Sequence, residues 1–192
     1  MEEVITVSDI MVPLEEYATV SEEGTLYEAV MALERAQEEL DRKRYHYLHR
    51  AILVFDKNNK IVGKISQLDV LKALEPKYQE MDDMRTLSRA GFSPQFLKSM
   101  MEQFNLCDKS FTEMCCRAAR MKVKEFMYTP TEGEYVEEDA TLCEAIHQLV
   151  MGQHQSLLVT RGGEIVGILR LTDVFKEIFQ TMKRHCEEPG PG

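Results

Sequence analysis

The chain has 192 residues, 44% of them hydrophobic, and a formal net charge of -10 at pH 7. That length supports one sizeable globular unit or two small halves that share a core. The acidic balance argues against non-specific binding to nucleic acid or to anionic lipid, since both need a positive field, although a local basic pocket stays open.

The order of elements is governed by a repeat. Val7-Ser8-Asp9-Ile10-Met11, Thr25-Leu26-Tyr27-Glu28-Ala29 and Ile61-Val62-Gly63 through Asp69-Val70 return as Val123-Lys124-Glu125-Phe126-Met127, Thr141-Leu142-Cys143-Glu144-Ala145 and Ile165-Val166-Gly167 through Asp173-Val174. Met11, Thr25 and Glu28 are offset from their second copies by 116 residues, Gly63 and Asp69 by 104, so the first copy carries twelve extra residues between Ala29 and Ile61. They fall within the helix-favouring run Leu33 to Arg44, where they would lengthen a helix by about three turns.

Each copy reads as a short strand ahead of the methionine, a helix, two strands joined by a tight turn, and a second helix. Thr25-x-x-Glu28 and Thr141-x-x-Glu144 are capping boxes that open amphipathic helices with a 3.6-residue apolar period. Ala51-Ile52-Leu53-Val54-Phe55 and Ser156-Leu157-Leu158-Val159 are apolar without interruption, as central strands require. Asp56-Lys57-Asn58-Asn59-Lys60 and Thr160-Arg161-Gly162-Gly163-Glu164 follow as hairpin turns with residues that accept positive φ. Gly63 and Gly167 lie inside the next strand, where glycine marks close approach by backbone, a side chain or a ligand.

Between the copies, Ser93-Pro94 is an N-cap with proline at the first helical position. The helix it opens carries Phe96, Leu97, Met100, Met101 and Phe104, and another carries Phe111, Met114, Cys115 and Ala118. These faces read most simply as core, with a subunit interface or a lid as the alternative. The expected divisions are a first repeat at 1–74 with a lengthened first helix, an inserted helical segment at 75–122, a second repeat at 123–184, and a disordered tail at 185–192, ending Pro189-Gly190-Pro191-Gly192.

No apolar run approaches the roughly 20 residues that cross a membrane, and the acidic start Met1-Glu2-Glu3-Val4 leads into no apolar signal core. A reducing cytoplasm is the expected compartment. Cys107, Cys115, Cys116, Cys143 and Cys186 are odd in number and form no Cys-x-x-Cys pair, as expected of reduced structural thiols. His46, His49, His147 and His185 show no ligand spacing, and no nucleophile arrangement points to an enzyme.

The composite pattern of Met, Thr-x-x-Glu-Ala, apolar strand, hairpin, Val-Gly and Asp-Val, present twice over Val4 to Leu74 and Val123 to Met182, resembles the CBS domain. The resemblance implies an α+β fold: a tandem CBS-domain pair of β-α-β-β-α repeats related by a pseudo-two-fold axis, here with an inserted helical segment. It further implies a regulatory, non-catalytic module that binds an adenine nucleotide in the inter-repeat cleft and modulates a partner or its own dimer. No cofactor is required. With no catalytic domain beside the pair, the regulated protein would be a separate chain.

The family's binding element is Gly-h-h-Ser/Thr-x-x-Asp, with h apolar. Gly63 to Asp69 match it with Ser66 and Asp69. Gly167 to Asp173 match it less well, because Arg170 stands at the hydroxyl position, ahead of Thr172 and Asp173. Arg50 and His154 precede the second strand of their repeats, where family members often hold a phosphate-facing basic group. The implied nucleotide-binding residues are therefore Arg50, Ser66, Asp69, His154, Arg170, Thr172 and Asp173, with no metal.

The chemistry of the element stands without the family. A carboxylate accepts both vicinal ribose hydroxyls, each charge-assisted bond contributing about 1.5–3 kcal/mol, and a helix start with a hydroxyl suits phosphate. A plainer reading stands beside it: Ser66-x-x-Asp69 is a capping pattern, Arg50 a solvated charge and His154 a surface or core histidine. The competing function is a ligand-free structural or interaction protein acting through dimerisation and the inserted helices.

Overall fold

The computed structural model describes residues 4–39, 47–80 and 91–186. In chain order the elements are α1 (Val7–Ile10), β1 (Val12–Pro13), β2 (Thr19–Ser21), α2 (Leu26–Glu39), β3 (Ala51–Phe55), β4 (Ile61–Ser66), α3 (Gln67–Leu74), α4 (Lys77–Glu80), α5 (Pro94–Gln103), α6 (Phe111–Ala118), β5 (Tyr135–Glu137), α7 (Leu142–Gly152), β6 (Ser156–Arg161), β7 (Glu164–Arg170) and α8 (Leu171–His185). The capping boxes form as their sequence requires: Thr25 N–H donates to Glu28 Oε2 at 2.7 Å, and Thr141 N–H to Glu144 Oε2 at 2.7 Å. These backbone bonds hold both carboxyl groups below the usual glutamate range.

The chain divides into two compact units, and each draws on both repeats. One comprises Met1–Tyr17, Ala36–His49 and Pro130–Gly192; the other comprises Ala18–Arg35 and Arg50–Thr129. The first holds a four-stranded sheet in the order β1-β7-β6-β5, the second a three-stranded sheet in the order β2-β3-β4. In both, a parallel pair (β5 with β6, β2 with β3) joins an antiparallel hairpin (β6 with β7, β3 with β4). The uninterrupted apolar runs β3 and β6 are flanked on both edges, as expected. Their hairpins turn through positive φ at Asn59 and at Gly162 and Gly163, and Asp56 Oδ1 accepts from the Asn58 and Lys60 amides at 2.8 and 2.9 Å.

The strand glycines have a packing explanation. A Cβ on Gly63 would lie 2.8 Å from Met127 Sδ and 3.1 Å from the Tyr128 carbonyl oxygen; one on Gly167 would lie 2.6 Å from the Val12 carbonyl oxygen and 3.0 Å from Met11 Sδ. Each repeated methionine thus lies over the strand glycine of the other repeat, and the segment around it runs along that strand: β1 pairs with β7, and Tyr128 bridges Lys64. The core of the first unit contains Val7, Leu149, Leu157, Val159, Leu169 and Val174. Leu53, Val54, Ile65 and Val123 are buried in the second. Each such side chain contributes about 1.5–3 kcal/mol.

Three expectations need amendment. The segment ahead of Met11 is a helical turn, not a strand, because Thr6 N–H donates to Asp9 Oδ2 at 2.8 Å in a local capping box. Helices α5 and α6 form where expected, with Ser93 Oγ accepting from Phe96 N–H at 3.1 Å, but the apolar face of α5 is not core: Phe96, Leu97 and Met101, and Phe104 at its end, are exposed, whereas α6 buries Met114 and Ala118 and leaves Phe111 exposed. Polar ties fasten this segment beside the buried Leu106, Met114 and Ala118. Arg117 Nη2 donates to the Leu74 carbonyl at 2.7 Å, and the buried Glu75 carboxylate accepts from the Lys77 and Cys107 amides at 3.3 and 3.1 Å. Lastly, α8 continues to His185, into the expected tail. Helix α2 has 14 residues against 11 in α7; the rest of the insertion at 40–44, His46, and the tail from 187 onward lie outside the described residues.

Candidate functional site at the strand-to-helix junctions

In the second unit, β4 ends at Ser66 and α3 begins at Gln67. Ser66 N–H and Oγ both donate to Asp69 Oδ2, at 2.8 and 2.6 Å, and Asp69 N–H returns a bond to Ser66 Oγ at 3.3 Å. The capping box is therefore real. It uses one carboxylate oxygen, and among the described residues Oδ1 carries no hydrogen bond. Both side chains are half-buried, so this oxygen faces accessible space. Ser66 pairs across the sheet with Ala51, which puts the exposed Arg50 one residue beyond its cross-strand partner at the same sheet end.

In the first unit, the equivalent junction is built differently. Arg170 ends β7 and gives no side-chain cap to α8. Its guanidinium instead grips Asp173 bidentately, Nε to Oδ2 at 2.5 Å and Nη2 to Oδ1 at 2.6 Å, and the two side chains are 6% and 8% exposed. Its third nitrogen, Nη1, donates to the Tyr47 carbonyl and to His49 Nδ1, both at 3.1 Å. Because arginine only donates, His49 Nδ1 must be the unprotonated acceptor. His49 is fully buried, its backbone carbonyl accepts from Gln37 Nε2 at 2.9 Å, and its ring meets Tyr17 edge-on at 4.4 Å. Burial first, and the Arg170 charge second, push its pKa from 6.5 down to about 4, against the smaller opposing pull of Glu16 and Asp173.

The remaining predicted residues do not join that cluster. Thr172 is half-buried beside an open apolar groove of about 470 Å³ whose walls include Ile146, Val150, Phe175 and Ile178. The His154 imidazole packs against the backbone at Gly152, where a Cβ would come within 1.9 Å of its Nε2. Among the described residues it makes no hydrogen bond to Arg170 or Asp173. Sequence reading missed His49 and Tyr47 as partners of Arg170. The available signal was local: an arginine three residues before an aspartate at a helix start can satisfy that aspartate, and doing so underground requires acceptors for its other nitrogen.

No group of three His, Cys, Asp or Glu that could hold a metal occurs among the described residues. The five cysteines are free thiols, four of them exposed, and no described helix is long and apolar enough to cross a membrane.

The CBS domain family matches residues 7–76 and 123–180. No curated protein matches the chain closely enough to support a comparison. Among solved structures, a CBS domain-containing protein of unknown function from Bacillus anthracis is 18% identical, with TM-score 0.59, over 92% of this chain and 94% of its own. CBSX2 from Arabidopsis thaliana is 18% identical with TM-score 0.56, over 96% of this chain and 100% of its own. CBSX2 in complex with AMP gives 18% identity and TM-score 0.54, over 92% and 97%. At such identities the likeness concerns the fold. With two β-α-β-β-α repeats, mixed sheets and a helical insertion, the chain belongs to the CBS domain family, whose paired repeats are regulatory, non-catalytic modules.

Proposed function

We propose that the chain is a regulatory module that binds an adenine nucleotide at the β4–α3 junction and thereby modulates a partner or its own dimer. The observation that carries this reading is the half-open Asp69 carboxylate: Oδ2 is committed to the capping box, whereas Oδ1 is left to accept a ribose hydroxyl. Arg50, at the same sheet end, supplies the countercharge that a phosphate needs in so acidic a chain. The fold relative CBSX2, solved with AMP, supports the choice of ligand class. Binding acts on a partner through differential affinity for two states, with a coupling of about 1–3 kcal/mol.

Thermal-shift titration with AMP, ADP, ATP and S-adenosylmethionine tests the reading, and a flat response to all four into the millimolar range contradicts it. Because Asp69 also caps α3, Asp69→Ala costs about 0.5–2 kcal/mol of stability whatever its ligand. Loss of nucleotide binding in the folded variant is the informative result. The exposed Phe96, Leu97, Met101 and Phe104 favour a second reading, an interaction protein that associates through α5. Light scattering on Leu97→Asp checks it: a smaller assembly than the unsubstituted chain forms supports it, and an unchanged mass argues against it.

A further inference from the structure

We infer that Arg170 is a built-in occluder, so that the β7–α8 junction is closed to nucleotide and the chain binds one adenine nucleotide, not two. The inference rests on the reading of Asp69 as a ribose acceptor and asks what its counterpart in the second repeat can do. Asp69 and Asp173 stand at the same step of their repeats, each three residues after the last strand residue. Their surroundings differ in every respect that matters to an incoming sugar.

A vicinal diol needs a carboxylate oxygen with an unused lone pair and a path to it. At Asp69 one oxygen has no protein donor among the described residues, and the side chain is half-buried. At Asp173 each oxygen receives a short bond from a guanidinium nitrogen, and the residue is 7% exposed. Arg170 therefore stands in for the ligand: it offers Asp173 two parallel donors, as a diol would, and adds a full positive charge.

The guanidinium is also held from behind. Nη1 is tied to the Tyr47 carbonyl and His49 Nδ1, and the His49 carbonyl is tied to Gln37 of α2. Swinging Arg170 aside would strip a buried carboxylate of its counter-ion and break both bonds to Nη1, none of which a neutral diol replaces. At the other junction, Ser66 presents a small hydroxyl that leaves Asp69 open. The choice between Ser66 and Arg170 at one position of the repeat thus sets the number of nucleotides bound.

Isothermal titration of the full chain with AMP tests this. The expected result is one AMP per chain, binding abolished in Asp69→Asn, stoichiometry unchanged in Asp173→Asn, and a second AMP taken up by Arg170→Ser. Two AMP per chain with one lost in Asp173→Asn, or a single site lost in Asp173→Asn and kept in Asp69→Asn, overturns the occluder while leaving nucleotide binding intact. A folded Arg170→Ser that still binds one AMP also overturns it. If Arg170→Ser does not fold, the count in the unsubstituted chain and the two aspartate variants decide. Absence of binding in every protein, by AMP and equally by ADP and ATP, removes the nucleotide reading and the inference with it.

Discussion

Arg170 and Asp173 form a buried ion pair, and such a pair is expensive to break and cheap to replace. Arg170→Ala leaves Asp173 charged and without its counter-ion, which should cost about 3–5 kcal/mol. Asp173→Ala leaves the guanidinium stranded and should cost a similar amount. The double variant should lose much less than the sum, and urea denaturation of the four proteins reads this coupling directly. His49 adds a pH dependence. Its folded pKa of about 4 lies below the unfolded 6.5, so between these values the unfolded chain binds more protons and stability rises with pH. The contribution is complete above about pH 6.5 and is lost on acidification towards pH 4, by up to about 3 kcal/mol. Urea midpoints at pH 7, 6 and 5 should fall steadily in the unsubstituted chain and more shallowly in His49→Asn.

At the scale of elements, the repeated methionine and glycine act as one contact. Gly167→Ala sets a Cβ against the rigid backbone of β1, whereas Gly63→Ala first meets the movable thioether of Met127. Both are overpacking changes of about 1–3 kcal/mol, with Gly167→Ala the more costly; thermal melts of the two variants check the order. Strands β3 and β6, their hairpins and the Thr-x-x-Glu helix starts were legible in the sequence because each is written in neighbouring residues: apolar continuity, Asn or Gly in the turn, a hydroxyl three residues before a carboxylate. The glycines were legible only as close approaches. What approaches them comes from the other repeat, more than 60 residues away for Gly63 and 150 for Gly167, and no local pattern encodes that. The exposure of α5 was misread for a related reason. Helical periodicity identifies an apolar face and not what covers it. At the junctions, Ser66 and Asp69 were readable as a pair, but the partners of Arg170 were not, since Tyr47 contributes a backbone carbonyl and His49 a lone ring without ligand spacing.

For the whole molecule, the consequence is that neither repeat is self-sufficient. Val7 and β1 of the first repeat complete the sheet and core of the second, and Val123 and Tyr128 of the second repeat complete those of the first. A fragment of residues 91–192 lacks β1 and should not fold alone, while co-expression with residues 1–80 should restore a complex. Circular dichroism of the single fragment and co-purification of the pair test this; a cooperative melt from 91–192 alone would contradict it. The acidic surface sharpens the functional question, because a net charge of -10 opposes anion binding unless a local basic group and a shaped acceptor compensate. In the proposed site, Asp69 offers the acceptor and Arg50, at the same sheet end, the basic group, whereas the Asp173 carboxylate is already satisfied from within. The most direct measurement is therefore a crystal structure of the chain grown with AMP. The account predicts the ribose hydroxyls on Asp69 Oδ1, with Arg170 still paired to Asp173; a nucleotide seated on Asp173, or no nucleotide at Asp69 at saturating AMP, would contradict it.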